Sequence, residues 1–124
     1  MAHQLDSREF VLRLDPKGMY AHTMGFIDQC RRALDIARGT TIGLEVGQFD
    51  NVLLTGLGGS AAGGDVARAL FEAEGRLAFQ VNRDYNLPNY VSNRTLVFAT
   101  SYSGNTEETL AAYDDAKRRG ASVI

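Results

Sequence analysis

Short apolar runs recur through the second half of the chain, and each is bounded by glycine or turn residues. They lie at 52–54, 77–81, 95–99 and 121–124. This length and spacing predict four buried strands. Because strands that alternate with helices form parallel sheets with right-handed crossovers, we expect a three-layer α/β fold in which helices flank a parallel sheet. In a sheet of order 2-1-3-4, the first and third strands are neighbours where the strand order reverses.

The segments between the strands predict two helices with defined ends. The first follows Ser60 and ends at Gly75. Its expected inward face comprises Val66, Ala69, Leu70 and Ala73. In the second helix, Asn105 is the expected N-cap and Glu108 its capping-box partner, while Gly120 ends the helix.

Ahead of the sheet, the chain predicts a helical leader. Asp15 is the expected N-cap of its main helix and Pro16 the first helical residue. Apolar side chains at steps of three and four residues indicate one face of a helix that ends at Gly39. That face consists of Thr23, Ile27, Cys30, Leu34 and Ala37. We expect Gly25 to loosen or kink this helix and Cys30 to pack in the core.

Composition narrows the classes of function. The chain has 44% apolar and 23% charged residues and a net charge of −2, which is typical of a soluble domain and lacks the basic surface of a nucleic-acid binder. No apolar run is long enough to span a membrane, so we expect a cytoplasmic protein. The single cysteine cannot form an internal disulfide, which agrees with a reducing compartment. His3 lies in a segment expected to be disordered, and no cluster has metal-ligand spacing, so we expect no metal or cofactor.

Two strand–turn–helix units carry the candidate chemistry. GLGGSAAGGD follows the first strand, and TSYSGNTEET follows the third. A helix N-terminus suits an anion, because free N–H groups point outward there and the helix dipole favours negative charge. Since the two strands are expected to be neighbours, the turns predict one phosphate held from two sides. The expected hydroxyl donors are Ser60, Ser101, Ser103 and Thr106.

The glycines allow two other interpretations. The stretch GLGGSA at 56–61 also fits the dinucleotide fingerprint G-x-G-x-x-A. A dinucleotide site requires an acidic residue at the end of the second strand, where this chain has VNR at 81–83. The dinucleotide interpretation also leaves the hydroxyl-rich second turn unexplained, so we prefer the phosphate interpretation. Alternatively, the glycines only permit a helix and a strand to pack closely. This interpretation fits Gly63 and Gly64, but it explains the hydroxyl residues less well.

The motifs GLGGSAAGGD and ATSYSGNTEETL resemble the sugar isomerase (SIS) domain, and more narrowly the bifunctional phosphoglucose/phosphomannose isomerases of bacteria and archaea. The leader from Leu14 to Ala37 and RDYNLP at 83–88 also fit that group. The resemblance implies that 1–50 is a helical leader and 51–124 the first part of a flavodoxin-like SIS domain. It also implies an aldose–ketose isomerase, usually dimeric, that interconverts glucose 6-phosphate or mannose 6-phosphate with fructose 6-phosphate through an enediol.

Carried over by matching position, the resemblance assigns roles to individual residues. It places the substrate phosphate on Ser60, Ser101, Ser103 and Thr106. It places backbone contacts to the substrate at Gly58, Gly59, Tyr102 and Gly104. Ala61 stands where many relatives have glycine, so it must already be helical for the fit to hold. Arg83, after the second strand, is a candidate to border the sugar.

The resemblance also implies what this chain lacks. In the family, the glutamate base, the ring-opening histidine and a lysine lie further along, so we expect no catalytic residue here. Glu107 and Glu108 are expected to turn away from a bound phosphate, which would repel them. The expected partners are a sugar 6-phosphate and a second copy of the chain, without nucleic acid or membrane. A non-catalytic SIS module that senses a phosphosugar remains the alternative.

Overall fold

The computed structural model describes residues 6–124. His3 therefore lies outside the described residues. The chain divides into two units: Met1–Leu44 contains helices, and Glu45–Ile124 contains the sheet.

The first unit contains three helices. They are α1 (Arg8–Leu14), α2 (Met19–Met24) and α3 (Phe26–Gly39). The prediction that Asp15 is an N-cap is wrong, because a turn that includes Pro16 intervenes and Gly18, with φ of 70°, takes the N-cap position. The Asp15 carboxylate still accepts hydrogen bonds from the backbone N–H groups of Met19 (2.8 Å) and Tyr20 (2.6 Å). Asp15 thus stabilises the start of α2 from outside the helix.

Cys30 is exposed, so the prediction that it packs in the core is wrong. On the same face of α3, Ile27 and Leu34 are 63% and 57% exposed. Within the described helices of this unit, no residue is buried. Gly25 separates α2 from α3, so the expected interruption is confirmed. Periodicity identifies the apolar face of a helix, but burial requires a partner element that periodicity does not specify.

The second unit is built on a four-stranded sheet. In chain order, its elements are a 3₁₀ turn (Val46–Gln48), β1 (Asn51–Thr55), α4 (Gly58–Glu74), β2 (Ala78–Asn82), β3 (Thr95–Ala99), α5 (Glu107–Arg118) and β4 (Ser122–Val123). The strand order is β2-β1-β3-β4, and every pairing is parallel. The predicted α/β class and strand order are therefore confirmed.

The strand register aligns the carboxyl ends of the three longer strands. Thr55, the last residue of β1, pairs with Asn82 of β2 and Ala99 of β3. Just beyond β3, the N–H group of Thr100 donates to the carbonyl of Thr55 at 2.8 Å. On the other side, the N–H group of Gly56 donates to the carbonyl of Asn82 at 3.2 Å. The segments that leave β1 and β3 therefore begin side by side.

The two long helices cover opposite faces of the sheet. Leu53, which is fully buried, belongs to the same core cluster as Ala112 of α5. Its neighbour Leu54 lies against Gly64 of α4 instead. Because successive strand residues point to opposite faces, α4 and α5 lie on different sides of β1. The remaining members of the α5-side cluster are Leu87, Val91, Val97, Ala116 and Ala121. The structure thus has the three predicted layers.

The predicted inward face of α4 is wrong. Val66 and Leu70 are 65% and 60% exposed, whereas Ala61 and Gly64 are buried. A Cβ atom on Gly64 would lie 2.9 Å from the Leu54 side chain, so the helix approaches the strand too closely for larger residues. The short distance between helix and strand, rather than the number of apolar residues, therefore determines which face of α4 is buried. Gly63, also considered for close packing, has no atom within 4 Å of the position of such a Cβ.

Candidate functional site

A crevice of about 630 Å³ opens at the carboxyl ends of β1 and β3. Leu57, Gly59 and Ser60 line it from the entrance to α4. The opposite wall is the segment between β3 and α5, with Thr100, Ser101, Tyr102, Ser103 and Thr106. The strand order reverses between β1 and β3, and parallel α/β sheets bind their ligands at such a point.

Three hydroxyl groups meet on one wall of the crevice. The Ser101 Oγ lies 2.9 Å from Thr106 Oγ1 and 3.4 Å from Ser103 Oγ, and Ser103 Oγ lies 3.4 Å from Thr106 Oγ1. The side chains come from residues two to five positions apart, and the turn folds them into a triangle. The structure thus brings together three of the four hydroxyl residues that the sequence selected, with Ser60 lining the facing wall.

Backbone donors within the turn occupy acceptor sites of two of these hydroxyls. The N–H group of Gly104 donates to Ser101 Oγ at 3.1 Å, and that of Asn105 donates to Ser103 Oγ at 3.3 Å. Gly104 adopts φ of 69°, a left-handed conformation that glycine tolerates without strain. A hydroxyl that accepts from the backbone still carries one proton, which it can donate to a neighbouring hydroxyl or to a ligand. The turn therefore presents hydroxyl groups suited to an acceptor such as an anion.

The prediction that Asn105 caps α5 is wrong. The N-cap is Thr106, in an extended conformation, and α5 begins at Glu107. The hydrogen bond from Asn105 N–H to Ser103 Oγ keeps Asn105 in the turn and delays the helix by one residue. Among the described residues, the expected capping box between Asn105 and Glu108 is therefore not formed.

Both helices that border the crevice begin without a side-chain cap. Among the described residues, the N-cap residues Leu57 of α4 and Thr106 of α5 make no side-chain hydrogen bond to the start of their helices. The first N–H groups of a helix have no partner within it, and the dipole places partial positive charge there. Ala61 is helical, as the resemblance required. The site therefore combines two positive helix ends with a cluster of hydroxyl groups.

Gly56 sets the separation of the two walls. A Cβ atom at this position would lie 2.8 Å from the Thr100 carbonyl oxygen and 3.3 Å from the Ser60 Cβ. By contrast, a Cβ atom on Gly59 would meet nothing within 4 Å. The sequence placed Gly56 in the glycine turn after the first strand and in a dinucleotide pattern, but it did not indicate a contact with the segment after β3. Its role at the β1–β3 contact depends on pairing between distant segments, and the position of a glycine just after a strand was the available signal.

Arg83 lies away from the crevice lining. Its guanidinium forms an ion pair with Asp65 of α4. Together with Arg68, Gln80 and Val81, this pair lines a separate polar pocket of about 340 Å³. Gly58, the first residue of α4, and Gly104, in the turn after β3, do not line the crevice, whereas Tyr102 lines it with a fully exposed side chain.

The acidic residues at the start of α5 lie beside Tyr85, which sequence reasoning did not select. Glu107 is exposed and Glu108 is half-buried, and neither lines the crevice. Desolvation and the nearby carboxylates of these two residues raise the pKa of Tyr85. Among residues 6–124, no group of His, Cys, Asp or Glu side chains could hold a metal ion. In the same range, no helix combines the length and apolar character needed to cross a bilayer.

Comparison with known proteins identifies relatives of this chain. It is 44% identical to a bifunctional phosphoglucose/phosphomannose isomerase from Caldicellulosiruptor bescii, over 86% of this chain and 31% of that protein. It is 35% identical to the protein of the same name from Thermoplasma acidophilum, over 83% of this chain and 32% of that protein. A glutamine–fructose-6-phosphate aminotransferase (isomerizing) from Thermococcus kodakarensis is 29% identical, over 93% of this chain and 21% of that protein.

The chain spans about a third of the length of the two isomerases that it matches. No solved structure matches it. The SIS domain matches residues 48–124, which include the whole sheet, both flanking helices and every residue that lines the crevice. The chain therefore belongs to the SIS domain family.

Proposed function

We propose that this chain is the N-terminal, phosphate-binding portion of a phosphosugar isomerase. Its reaction would interconvert glucose 6-phosphate or mannose 6-phosphate with fructose 6-phosphate. The names of the isomerase relatives support the activity, and membership of the SIS family supports the class of ligand. The observation that carries the proposal is the hydroxyl triangle of Ser101, Ser103 and Thr106, which faces Ser60 across the crevice.

In this proposal, the substrate phosphate lies between the two walls. Ser101, Ser103 and Thr106 donate to its oxygens from one side, and Ser60 donates from the other. Each hydrogen bond to the charged group contributes roughly 1.5–3 kcal/mol. The N–H groups of Gly58, Gly59, Tyr102 and Gly104 provide the proposed backbone contacts. The two helix ends add favourable electrostatic energy, because their partial positive charges converge on the anion.

Isomerisation also requires a base that moves a proton between C2 and C1 of the sugar. The acids nearest the turns are committed elsewhere, since Asp65 pairs with Arg83 and Glu107 and Glu108 lie beside Tyr85. We therefore propose that residues outside this chain supply the base. The greater length of the isomerase relatives supports this division of roles. Arg83 must leave its ion pair with Asp65 to border the sugar.

A second copy of this chain is the proposed protein partner. Among residues 6–124, the strand β4 lies at one edge of the sheet, pairs with β3 over two residues, and has no strand on its outer side. Exposed strand edges favour association with another chain.

Isothermal titration with fructose 6-phosphate tests the phosphate site. Ser103→Ala should weaken binding about tenfold to a hundredfold, equivalent to roughly 1.5–3 kcal/mol. Ser92→Ala is the matched control, because Ser92 lies before β3, at the opposite end of that strand from the crevice. Ser92→Ala should bind as the wild type does, and unphosphorylated fructose should not occupy the crevice. Equal affinities of Ser103→Ala and wild type would contradict the proposed role of Ser103.

A further inference from the structure

Two buried polar side chains lie at the carboxyl end of the sheet, next to the glycine wall of the crevice (residues 56–60). Thr55, the last residue of β1, is 1% exposed, and Asn82, the last residue of β2, is 9% exposed. The two residues are partners in the strand register, so their side chains point to the same face of the sheet. The amide nitrogen of Asn82 donates to Thr55 Oγ1 at 3.3 Å. This hydrogen bond joins β1 to β2 at the point where the glycine wall begins.

Asn82 also holds the glycine wall through its backbone. Its carbonyl oxygen accepts from the N–H group of Gly56 at 3.2 Å. Its amide nitrogen donates in addition to the carbonyl oxygen of Asp84 at 2.8 Å, which fixes the start of the loop after β2. On the other side of β1, the N–H group of Thr100 donates to the Thr55 carbonyl at 2.8 Å. The junction between β1 and the glycine wall is therefore fixed from both neighbouring strands.

A hydrogen-bonded pair at this position is a poor choice for stability alone. Asparagine is depleted in strands, and burial removes the hydration of both polar groups. Two apolar side chains of the same shape could fill the positions at little or no cost in stability. A satisfied buried polar network instead makes the local geometry rigid and unique. The pair therefore suits a requirement for exact placement of the segment that follows it.

We propose that Thr55 and Asn82 are positioning residues of the phosphate site, an inference that rests on the proposed function. Neither residue lines the crevice, so both act through the glycine wall, which carries Ser60 and the start of α4. A wall that is fixed before the ligand arrives loses less entropy on binding. Without the hydrogen bond between the pair, the wall must be ordered when the ligand binds. Inorganic phosphate and fructose 6-phosphate should therefore lose affinity by the same factor.

Thr55→Val tests the proposal, because it keeps the branched shape and removes the acceptor. Isothermal titration should show binding of both ligands weakened by about threefold to tenfold, the factor that corresponds to one neutral hydrogen bond. Equal affinities of Thr55→Val and wild type would overturn the inference and leave the proposed function intact. A loss confined to fructose 6-phosphate would overturn it as well. Wild-type chain that binds neither ligand would overturn the proposed function, and the inference with it.

Thr95→Val is the matched control. Thr95 is also fully buried, and its Oγ1 accepts from the N–H group of Ser92 at 3.1 Å, but it lies at the start of β3, at the opposite end of the sheet from the crevice. Both substitutions remove one buried hydroxyl and should lower the melting temperature. Only Thr55→Val should weaken ligand binding. Equal losses of affinity in the two variants would show a general effect of stability and would overturn the positioning role.

Thr55→Ser separates positioning from stability in the opposite direction. It keeps the hydroxyl and loses a buried methyl group, so it should lower the melting temperature but bind both ligands nearly as the wild type does. In an Asn82→Ala background, Thr55→Val should cause no further loss of affinity, because the hydrogen bond is already absent. Weak binding by Thr55→Ser, or a full additional loss in the double variant, would overturn the assignment of the pair.

Discussion

Replacing Gly56 with alanine tests how the two walls of the crevice are held together. The new Cβ would lie 2.8 Å from the Thr100 carbonyl oxygen, closer than such atoms approach one another in proteins. It would also lie 3.3 Å from the Ser60 Cβ, so the backbone after β1 cannot relieve the clash simply by moving toward α4. The segment after β3 must therefore move away from β1.

The expected loss of stability follows from the contacts that this movement disturbs. Two backbone hydrogen bonds lie at this junction: Thr100 N–H to Thr55 O at 2.8 Å and Gly56 N–H to Asn82 O at 3.2 Å. Adding one methyl group to a well-packed position destabilises a protein by about 1–3 kcal/mol. We expect a loss of this size in the free energy of unfolding, together with weaker fructose 6-phosphate binding, because Ser60 moves relative to the hydroxyl triangle.

Gly59→Ala is the matched control for stability. It adds the same methyl group in the first turn of α4, where no atom lies within 4 Å of the new Cβ. Alanine is favoured over glycine in a helix by about 0.5–1 kcal/mol, so stability should not fall. Urea unfolding followed by circular dichroism measures the stability of both variants, and isothermal titration measures the affinity of Gly56→Ala. If Gly56→Ala matched the wild type in stability and affinity, close contact at Gly56 would not set the width of the crevice.

The remaining predictions concern pH and catalysis. Arg94 holds the pKa of the Asp50 carboxyl in the folded protein below its usual value. The ion pair therefore stabilises the fold fully at pH values above the pKa of the unfolded carboxyl. This stabilisation is lost as the pH falls through the lower pKa of the folded state. Acid unfolding of wild type should therefore lose more stability over that range than Asp50→Asn, and identical pH profiles would contradict the assignment. The chain alone should not convert fructose 6-phosphate to glucose 6-phosphate in a dehydrogenase-coupled assay. Turnover that disappears in Ser103→Ala would show that the chain contains a catalytic base.

Sequence patterns predicted the sheet because its determinants are local. Apolar runs such as 95–99 have the length of strands and are bounded by turn residues, and the crossover rules then restrict their order. The hydroxyl-rich turn was recognisable for a similar reason, since Ser101, Ser103 and Thr106 lie within six consecutive residues. These residues meet in the structure as the sequence indicated.

Individual contacts, most of them between distant segments, decided the features that local patterns did not predict. The buried face of α4 depends on how closely Gly64 approaches Leu54, and the start of α5 depends on hydroxyl contacts inside the turn. The partner of Arg83 is Asp65, eighteen residues earlier, which no local pattern specifies. The sequence by itself therefore determined the fold class and the main hydroxyl cluster. Only the tertiary structure decided which glycine separates the walls and which polar groups are paired, because both depend on distances across the sheet.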